Sequence, residues 1–165
     1  MSSLHYKDDL LEDILKKTRT IAMVGASPKW VRPSNFAMKY LQGKGYKVIP
    51  VNPGQAGKEI LGEHVYASLA DIPDNFDMVD IFRTSDAAGG IMDEAITLAK
   101  DKGISVVWMQ LGVINEAAAH KGEAAGLTVI QDRCPKIEYA RLFGELGWGG
   151  INTGIISSKR PKLRA

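Results

Sequence analysis

The sequence predicts an α/β protein built on a single doubly wound, mostly parallel sheet with helices on both faces. Short apolar runs alternate with amphipathic segments along the chain, which is typical of strands joined by crossover helices. A turn of small residues, 25–27, directly follows the first apolar run, as it does in sheets that bind ligands beyond the carboxyl ends of their strands. Right-handed crossovers then place helices against both sides of the sheet.

Apolar spacing predicts the first two helices and the first two strands. Residues 8–17 repeat apolar side chains at helical spacing, and the apolar run 20–24 forms the first strand. A polar residue, Ser34 or Asn35, can cap a helix that continues to about residue 42, and residues 47–52 form the second strand. The candidate core residues of that helix are Phe36, Met38 and Leu41.

The same alternation continues through the second half of the chain. Acidic or small polar residues bound most of the predicted elements and provide helix caps. In chain order we predict a short strand at 65–67, a strand at 78–82, a helix capped by Asp86, a strand at 105–109, a helix at 115–126, a strand at 128–131 and a helix at 136–146.

Composition and charge limit the class of protein. The chain has 165 residues, of which 45% are hydrophobic and 24% charged, as in ordinary globular proteins. We expect one domain at 1–146 and a C-terminal extension at 147–165 that is first apolar and then basic. A net charge of +2 gives no reason to expect nucleic-acid or membrane binding. One cysteine excludes an internal disulfide, and without a signal-like or membrane-length apolar run we expect a cytoplasmic protein.

The turn after the first strand is the best candidate for an anion site. Gly25, Ala26 and Ser27 are small enough for their backbone N–H groups to approach a phosphate, and the helix that follows adds partial positive charge at its N-terminus. Arg32, Ser34 and Asn35 lie at that N-terminus. Only the first glycine of the dinucleotide fingerprint G-x-G-x-x-G is present, so the turn departs from the usual NAD-binding motif.

The end of the second strand distinguishes between nucleotides. NAD-binding domains place an acidic residue there to accept hydrogen bonds from the ribose hydroxyls. This chain has Asn52 and Pro53 instead, and we expect the pair to contact the nucleoside of a ligand. Lys58 follows in a loop and is suited to a phosphorylated ribose, although simple solvation of its side chain is an equal alternative.

Four strand ends are predicted to meet along one rim of the sheet. Besides the two already described, Phe82 and Arg83 follow the strand at 78–82, and Gln110 follows the strand at 105–109. Arg83 must emerge at this rim, where it either lines the path of a ligand or pairs with Asp80 or Asp132.

Six short phrases occur in a fixed order between about residues 10 and 143 and carry a family resemblance. They are Val24-Gly25-Ala26-Ser27, Arg32-Pro33-Ser34, Val48-Ile49-Pro50-Val51-Asn52-Pro53, Asp80-Ile81-Phe82-Arg83, Trp108-Met109-Gln110-Leu111-Gly112 and Asp132-Arg133-Cys134-Pro135. Together they resemble small stand-alone CoA-binding proteins, which are similar to the N-terminal domain of the succinyl-CoA synthetase alpha subunit. The resemblance implies a Rossmann-like domain that binds coenzyme A or an acyl-CoA.

The candidate ligand-binding residues combine the rim with the matching phrases. They are Gly25, Ala26, Ser27, Arg32, Ser34, Asn35, Asn52, Pro53, Lys58, Phe82, Arg83, Gln110 and Arg133. Cys134 has two interpretations, either a thiol near the end of the pantetheine arm or a half-buried residue before a helix.

No catalytic or metal-binding residue is predicted. His5, His64 and His120 lie far apart and lack a neighbouring nucleophile or a metal-spaced partner. The resemblance places the phosphorylated histidine of the synthetases in a second domain that this sequence does not contain. We therefore expect a CoA-binding carrier or sensor rather than an enzyme, with a second copy or an acyl-CoA enzyme as partner. The alternatives are a small NADP-dependent oxidoreductase or other nucleotide-using enzyme, and a protein-interaction module with a vestigial pocket.

Overall fold

Five parallel strands form one sheet at the centre of the structure, a computed structural model that describes residues 5–144. In chain order the strands are β1 (Thr20–Val24), β2 (Lys47–Val51), β3 (Glu59–Ile60), β4 (Glu63–His64), β5 (Met78–Ile81), β6 (Val106–Met109) and β7 (Thr128–Ile130). The helices are α1 (Asp8–Lys17), α2 (Pro33–Gly43), α3 (Ser85–Lys102), α4 (Glu116–Ala124) and α5 (Pro135–Leu142). The predicted extension at 147–165 lies outside the described residues.

The strand order of the large sheet is β2-β1-β5-β6-β7, and all neighbouring strands in it run parallel. The chain moves from β1 to β2 on one side and then returns to β5 on the other side of β1. A crevice opens at such a switch point, beyond the carboxyl ends of the two strands, and doubly wound sheets bind their ligands there. The predicted fold class is confirmed, and the switch point lies between β1 and β5.

Two apolar cores cover the two faces of the sheet. Because successive strand residues point to opposite faces, Val79 and Val107 pack under α3 and α4, whereas Met78 and Trp108 pack under α1, α2 and α5. The strands are buried on both faces, as expected for a parallel sheet between two helical layers. No helix within residues 5–144 combines the length and the apolarity needed to cross a membrane.

The segment between β2 and β5 differs from the prediction. The predicted strand at 65–67 contributes only one parallel bridge, between Tyr66 and Val51, and the regular pairing is a hairpin of β3 and β4. Leu61 and Gly62 form its turn with φ values of 49° and 83°. A leucine in the left-handed region is uncommon, and the turn has Gly62 but not the usual Asn-Gly or Asp-Gly pair of a tight hairpin.

Two helix starts also differ from the predicted caps. Arg32 rather than Ser34 or Asn35 is the N-cap of α2, because Pro33 takes the first helical position, where its missing N–H costs nothing. Thr84 rather than Asp86 caps α3, and its hydroxyl accepts a hydrogen bond from the Ala87 N–H at 3.2 Å. Of the predicted core residues of α2, Met38 and Leu41 are buried, whereas Phe36 is 51% exposed.

Asp80 is a carboxylic acid in the middle of the central strand, and none of its side chain is exposed. Neither of its Oδ atoms has a hydrogen-bond partner among residues 5–144. Its register neighbours are the apolar residues Met23 and Trp108. Burial therefore raises the pKa of Asp80 well above its ordinary value, and the folded protein holds this proton to a higher pH than the unfolded chain does.

Replacing Asp80 with asparagine is expected to remove a pH-dependent loss of stability. In the native protein the free energy of unfolding should fall as pH rises from about 4, the pKa of an unfolded aspartate, to the raised pKa, and stay level above it. The free energy of unfolding of Asp80→Asn should therefore rise relative to that of the native protein as pH increases, by about 1.4 kcal/mol per unit of pKa shift. Urea unfolding from pH 4 to 8 measures this gain, and Asp101→Asn at the exposed end of α3 is the control. Parallel pH profiles for the native protein and Asp80→Asn would contradict the prediction.

Candidate functional site

The turn after β1 is held between the ends of two neighbouring strands. The Gly25 N–H donates to the Val51 carbonyl of β2 at 2.9 Å, and the Phe82 N–H after β5 donates to the Val24 carbonyl at 2.7 Å. Gly25 has a φ of 93°, and a Cβ at this position would lie 2.2 Å from the Phe82 carbonyl oxygen. Only glycine combines this left-handed backbone with so close an approach.

Two buried or half-buried amides fix the carbonyl groups of the turn. The Asn52 Nδ2 donates to the Ala26 carbonyl at 2.8 Å, and the Asn35 Nδ2 donates to the Ser27 carbonyl at 2.9 Å. The other amide atom of Asn52 accepts from the Gly54 N–H at 2.9 Å. Both ends of the Asn52 amide are therefore engaged within the protein, and this side chain orients the turn.

The N–H groups of the same turn have no such partners. Among the hydrogen bonds within residues 5–144, none is donated by the backbone N–H groups of Ala26, Ser27 or Ser34. Ser34 lies in the first turn of α2, where unpaired N–H groups concentrate the positive end of the helix dipole. With its carbonyls tied back by two amides and its N–H groups unpaired, the turn is suited to bind an anion.

Three of the predicted cations lie on the segments that follow β1, β2 and β5. Arg32, Lys58 and Arg83 are exposed, and none of them forms an ion pair with a carboxylate in the described part of the chain. The Arg83 side chain lies against the turn, since its Cδ is 3.0 Å from the position of a Cβ on Gly25. The alternative pairs of Arg83 with Asp80 or Asp132 are not formed among residues 5–144: Asp80 is buried without a partner, and the Asp132 Oδ1 accepts from the Gly112 N–H at 2.8 Å.

A groove of about 330 Å³ lies beside the turn, between the N-terminal ends of α2 and α5. Its lining is mostly apolar and includes Val31, Phe36, Gln110, Leu111, Cys134 and Ile137. Gln110 is 8% exposed, and its Oε1 has no hydrogen-bond partner within residues 5–144. Cys134 is buried in this lining, directly before α5, a position that agrees with both of its interpretations.

The remaining predicted residues, Pro53, Phe82 and Arg133, do not line the groove. Pro53 is exposed and begins a short turn after β2, and Phe82 is half-buried against the core on the α2 side. The structure does not bring Arg133 to the turn, because it follows β7 at the far edge of the sheet, and its guanidinium lies 5.3 Å from the Tyr6 ring. We leave Arg133 out of the site proposed below.

Sequence reasoning missed most of the groove. Val31, Leu111 and Ile137 are exposed apolar residues, and Phe36 was assigned to the core. Periodicity within one helix marks these side chains as apolar but does not show that two helix ends leave a space between them. One feature of the sequence could have indicated the groove. Val31 and Leu111 are apolar, yet they lie in turns next to the predicted ligand-binding residues Arg32 and Gln110.

Replacing Gly25 with alanine is expected to destabilise the protein by about 2–4 kcal/mol, since a new Cβ must displace the end of β5 or the turn itself. Gly57→Ala is a matched control because Gly57 has a similar φ of 86° but no atom within 4 Å of a Cβ. The control should lose only about 1–2 kcal/mol from the left-handed backbone. Urea unfolding measures both, and an equal loss in the two variants would show that the contact with Phe82 is unimportant.

Comparison with known proteins identifies the family. Residues 19–140 match the family model described as a CoA binding domain. An uncharacterized protein of Bacillus subtilis (strain 168), YneT, is 35% identical over 130 residues, which cover 79% of this chain and 92% of that protein.

Solved structures agree with this assignment. A hypothetical protein from Pyrococcus horikoshii OT3 is 38% identical with a TM-score of 0.78, and the match covers 87% of this chain and 100% of that one. A Thermus thermophilus protein, cell-free ID.343, is 35% identical with a TM-score of 0.78, covering 84% of this chain and 100% of that one. The family model and these relatives confirm the resemblance inferred from the six phrases, and the chain belongs to the CoA binding domain family.

Proposed function

We propose that this protein binds coenzyme A or an acyl-CoA at the switch point between β1 and β5, and serves as a carrier or sensor of that ligand. The observation that supports this most is the arrangement of the turn after β1. Its carbonyls are tied back by Asn35 and Asn52, while the N–H groups of Ala26, Ser27 and Ser34 are left without protein acceptors. Ala26 has no exposed surface, so in our proposal the N–H groups of Ser27 and Ser34 bind the pyrophosphate of the ligand.

The surroundings of the turn favour a ligand with several phosphates. Arg83 lies beside Gly25, Arg32 is the N-cap of α2, and Lys58 lies on the loop after β2. We assign Lys58 to the 3′-phosphate of coenzyme A, which NAD lacks. The end of β2 carries Asn52 in place of an acidic residue, and its amide is occupied within the protein, so the ribose hydroxyls of NAD would have no carboxylate acceptor there.

The far end of the ligand follows the rim of the sheet. From the turn after β1, the next strand ends belong to β5 and β6, and the groove lined by Gln110 lies at the latter. A pantetheine arm is narrow, mostly apolar and carries two amides, which matches a groove with one buried amide in its lining.

Binding and delivery suit the chemistry of the site better than catalysis. Apart from the buried Cys134 thiol, the rim and groove supply backbone donors, cations, amides and apolar surface, which are groups that hold a ligand. We therefore propose that the protein stores, senses or hands over CoA or acyl-CoA to an acyl-CoA enzyme, in the cytoplasm.

The first test is calorimetry on protein stripped of endogenous ligand. CoA should bind more tightly than 3′-dephospho-CoA, because Lys58 loses its phosphate partner, and both should bind more tightly than NADP, NAD or ADP. An affinity for NADP equal to or above that for CoA would contradict the proposal and favour a nucleotide-using enzyme instead.

Ser27→Asp tests the position of the pyrophosphate. The aspartate retains an oxygen that can accept from the Lys29 N–H, as the Ser27 hydroxyl does at 3.1 Å, but adds a negative charge beside the unpaired N–H groups. CoA affinity should fall at least tenfold while the melting temperature changes little. Ser68→Asp, before the short helical turn Leu69–Asp71, is the matched control and should leave affinity unchanged. Retained affinity in a folded Ser27→Asp protein would place the phosphates elsewhere.

Arg83→Gln tests the contribution of charge next to Gly25. Removing one charged contact with phosphate should weaken CoA binding about tenfold, after allowance for the solvent exposure of the side chain. The dependence of affinity on salt should also become less steep, since fewer charges are screened. Lys100→Gln, at the opposite end of α3, changes the net charge equally and should alter neither quantity. Equal salt dependence in the two variants would exclude Arg83 from the site.

A further inference from the structure

The apolar groove between α2 and α5 has an exposed apolar rim in addition to the buried amide that we assign to the pantetheine arm. Its exposed rim is formed by large apolar side chains that are costly to leave in water, among them Val31, Phe36 and Leu111, which are 58%, 51% and 52% exposed. These residues come from three separate segments of the chain, namely the turn before α2, α2 itself and the turn after β6. Their convergence forms a concave surface rather than scattered exposure.

A buried acceptor in the lining indicates what kind of group enters the groove. The Gln110 side chain is more than nine-tenths buried, and its Oε1 lacks a hydrogen-bond partner within residues 5–144. Leaving such an atom desolvated and unpaired is unfavourable, so a ligand that donates an N–H to it gains affinity. The ligand must therefore combine an N–H donor with apolar surface, and it must be narrow enough to reach a side chain that solvent barely reaches.

The groove and the anion-binding turn both adjoin the start of α2. Val31 and Pro33 line the groove, and between them in sequence lies Arg32, the cation next to the unpaired N–H of Ser34. A molecule with its phosphates on the turn can thus extend directly into the groove along the first turn of α2.

We propose that this groove holds the thioester end and the acyl chain of an acyl-CoA, with a pantetheine N–H donating to the Gln110 Oε1. This inference rests on the proposed function, because it takes the phosphates to lie on the turn after β1. The occupant is an apolar acyl group, and the apolar side chains Val31, Phe36, Leu111 and Ile137 are its contacts. The groove thereby makes the protein selective for acylated over free CoA.

An acyl chain fits these observations better than a protein partner does. The volume of about 330 Å³ lies at the lower end of the range of about 300–1,000 Å³ for small-molecule sites. A protein surface or a second copy of this chain would cover the exposed rim but would not readily reach the buried amide of Gln110. In our proposal a slender chain that carries an amide covers the rim and donates its N–H to the Gln110 Oε1.

The test compares CoA with acetyl-, butyryl-, hexanoyl- and octanoyl-CoA by calorimetry on the full chain. Affinity should rise with each added methylene until the groove is filled, by up to about fourfold per methylene for complete burial. The quantity compared between variants is the ratio of octanoyl-CoA affinity to CoA affinity, which cancels any common effect on the phosphate end.

Leu111→Asp places a charge on the groove rim and should lower this ratio at least tenfold. Leu61→Asp is the matched control, because Leu61 is another exposed leucine in a turn, at the β3–β4 hairpin, and its ratio should equal that of the native protein.

Gln110→Met removes the acceptor while keeping the side-chain length, and should weaken acetyl-CoA binding about fivefold, as expected for one neutral hydrogen bond.

The outcomes separate this inference from the function on which it rests. If CoA binds but all acyl-CoAs bind equally well, the groove does not hold the acyl chain and only the present inference fails. An unchanged ratio in Leu111→Asp, or unchanged acetyl-CoA affinity in Gln110→Met, would likewise refute the path described here. If neither CoA nor any acyl-CoA binds, the proposed function and this inference both fail.

Discussion

The geometry of the rim, where the strands of the sheet end, depends on the close approach of Gly25 to the Phe82 carbonyl. The space left by the absent Cβ lets the end of β5 lie against the turn after β1, while the Gly25 N–H reaches the end of β2. Three strand ends are therefore fixed relative to one another at the point where the sheet changes direction. A larger residue would separate them, and the crevice between β1 and β5 would lose its shape.

The two asparagines show how the site obtains its polarity. Both residues were predicted to contact a ligand, yet their Nδ2 atoms donate to carbonyls of the turn. Each bond contributes only about 1 kcal/mol, but together they determine which backbone groups remain unpaired. Occupying the carbonyls leaves N–H groups as the available partners, which gives the turn an electropositive face without a glycine-rich motif.

Short-range patterns account for what the sequence could predict. The order of helices and strands follows from apolar spacing, and the position of the turn proposed to bind phosphate follows from small residues between a strand and a helix. The β3–β4 hairpin depends on a leucine in the left-handed region, the start of α2 depends on Pro33 at the first helical position, and the start of α3 depends on the Thr84 hydroxyl. The groove and the buried Asp80 depend on the packing of distant segments, which periodicity does not describe.

Helix α2 connects the two halves of the site. Its first turn supplies the unpaired N–H of Ser34 and the amide of Asn35 to the anion site, and the same turn presents Pro33 and Phe36 to the groove. Pro33 fixes where the helix begins, so it sets both the position of the donors and the position of the apolar wall. The exposure of Phe36 then has a physical reason, since a side chain that lines the groove points away from the core. A polar half and an apolar half held by one rigid element suit a ligand with the same division along its length.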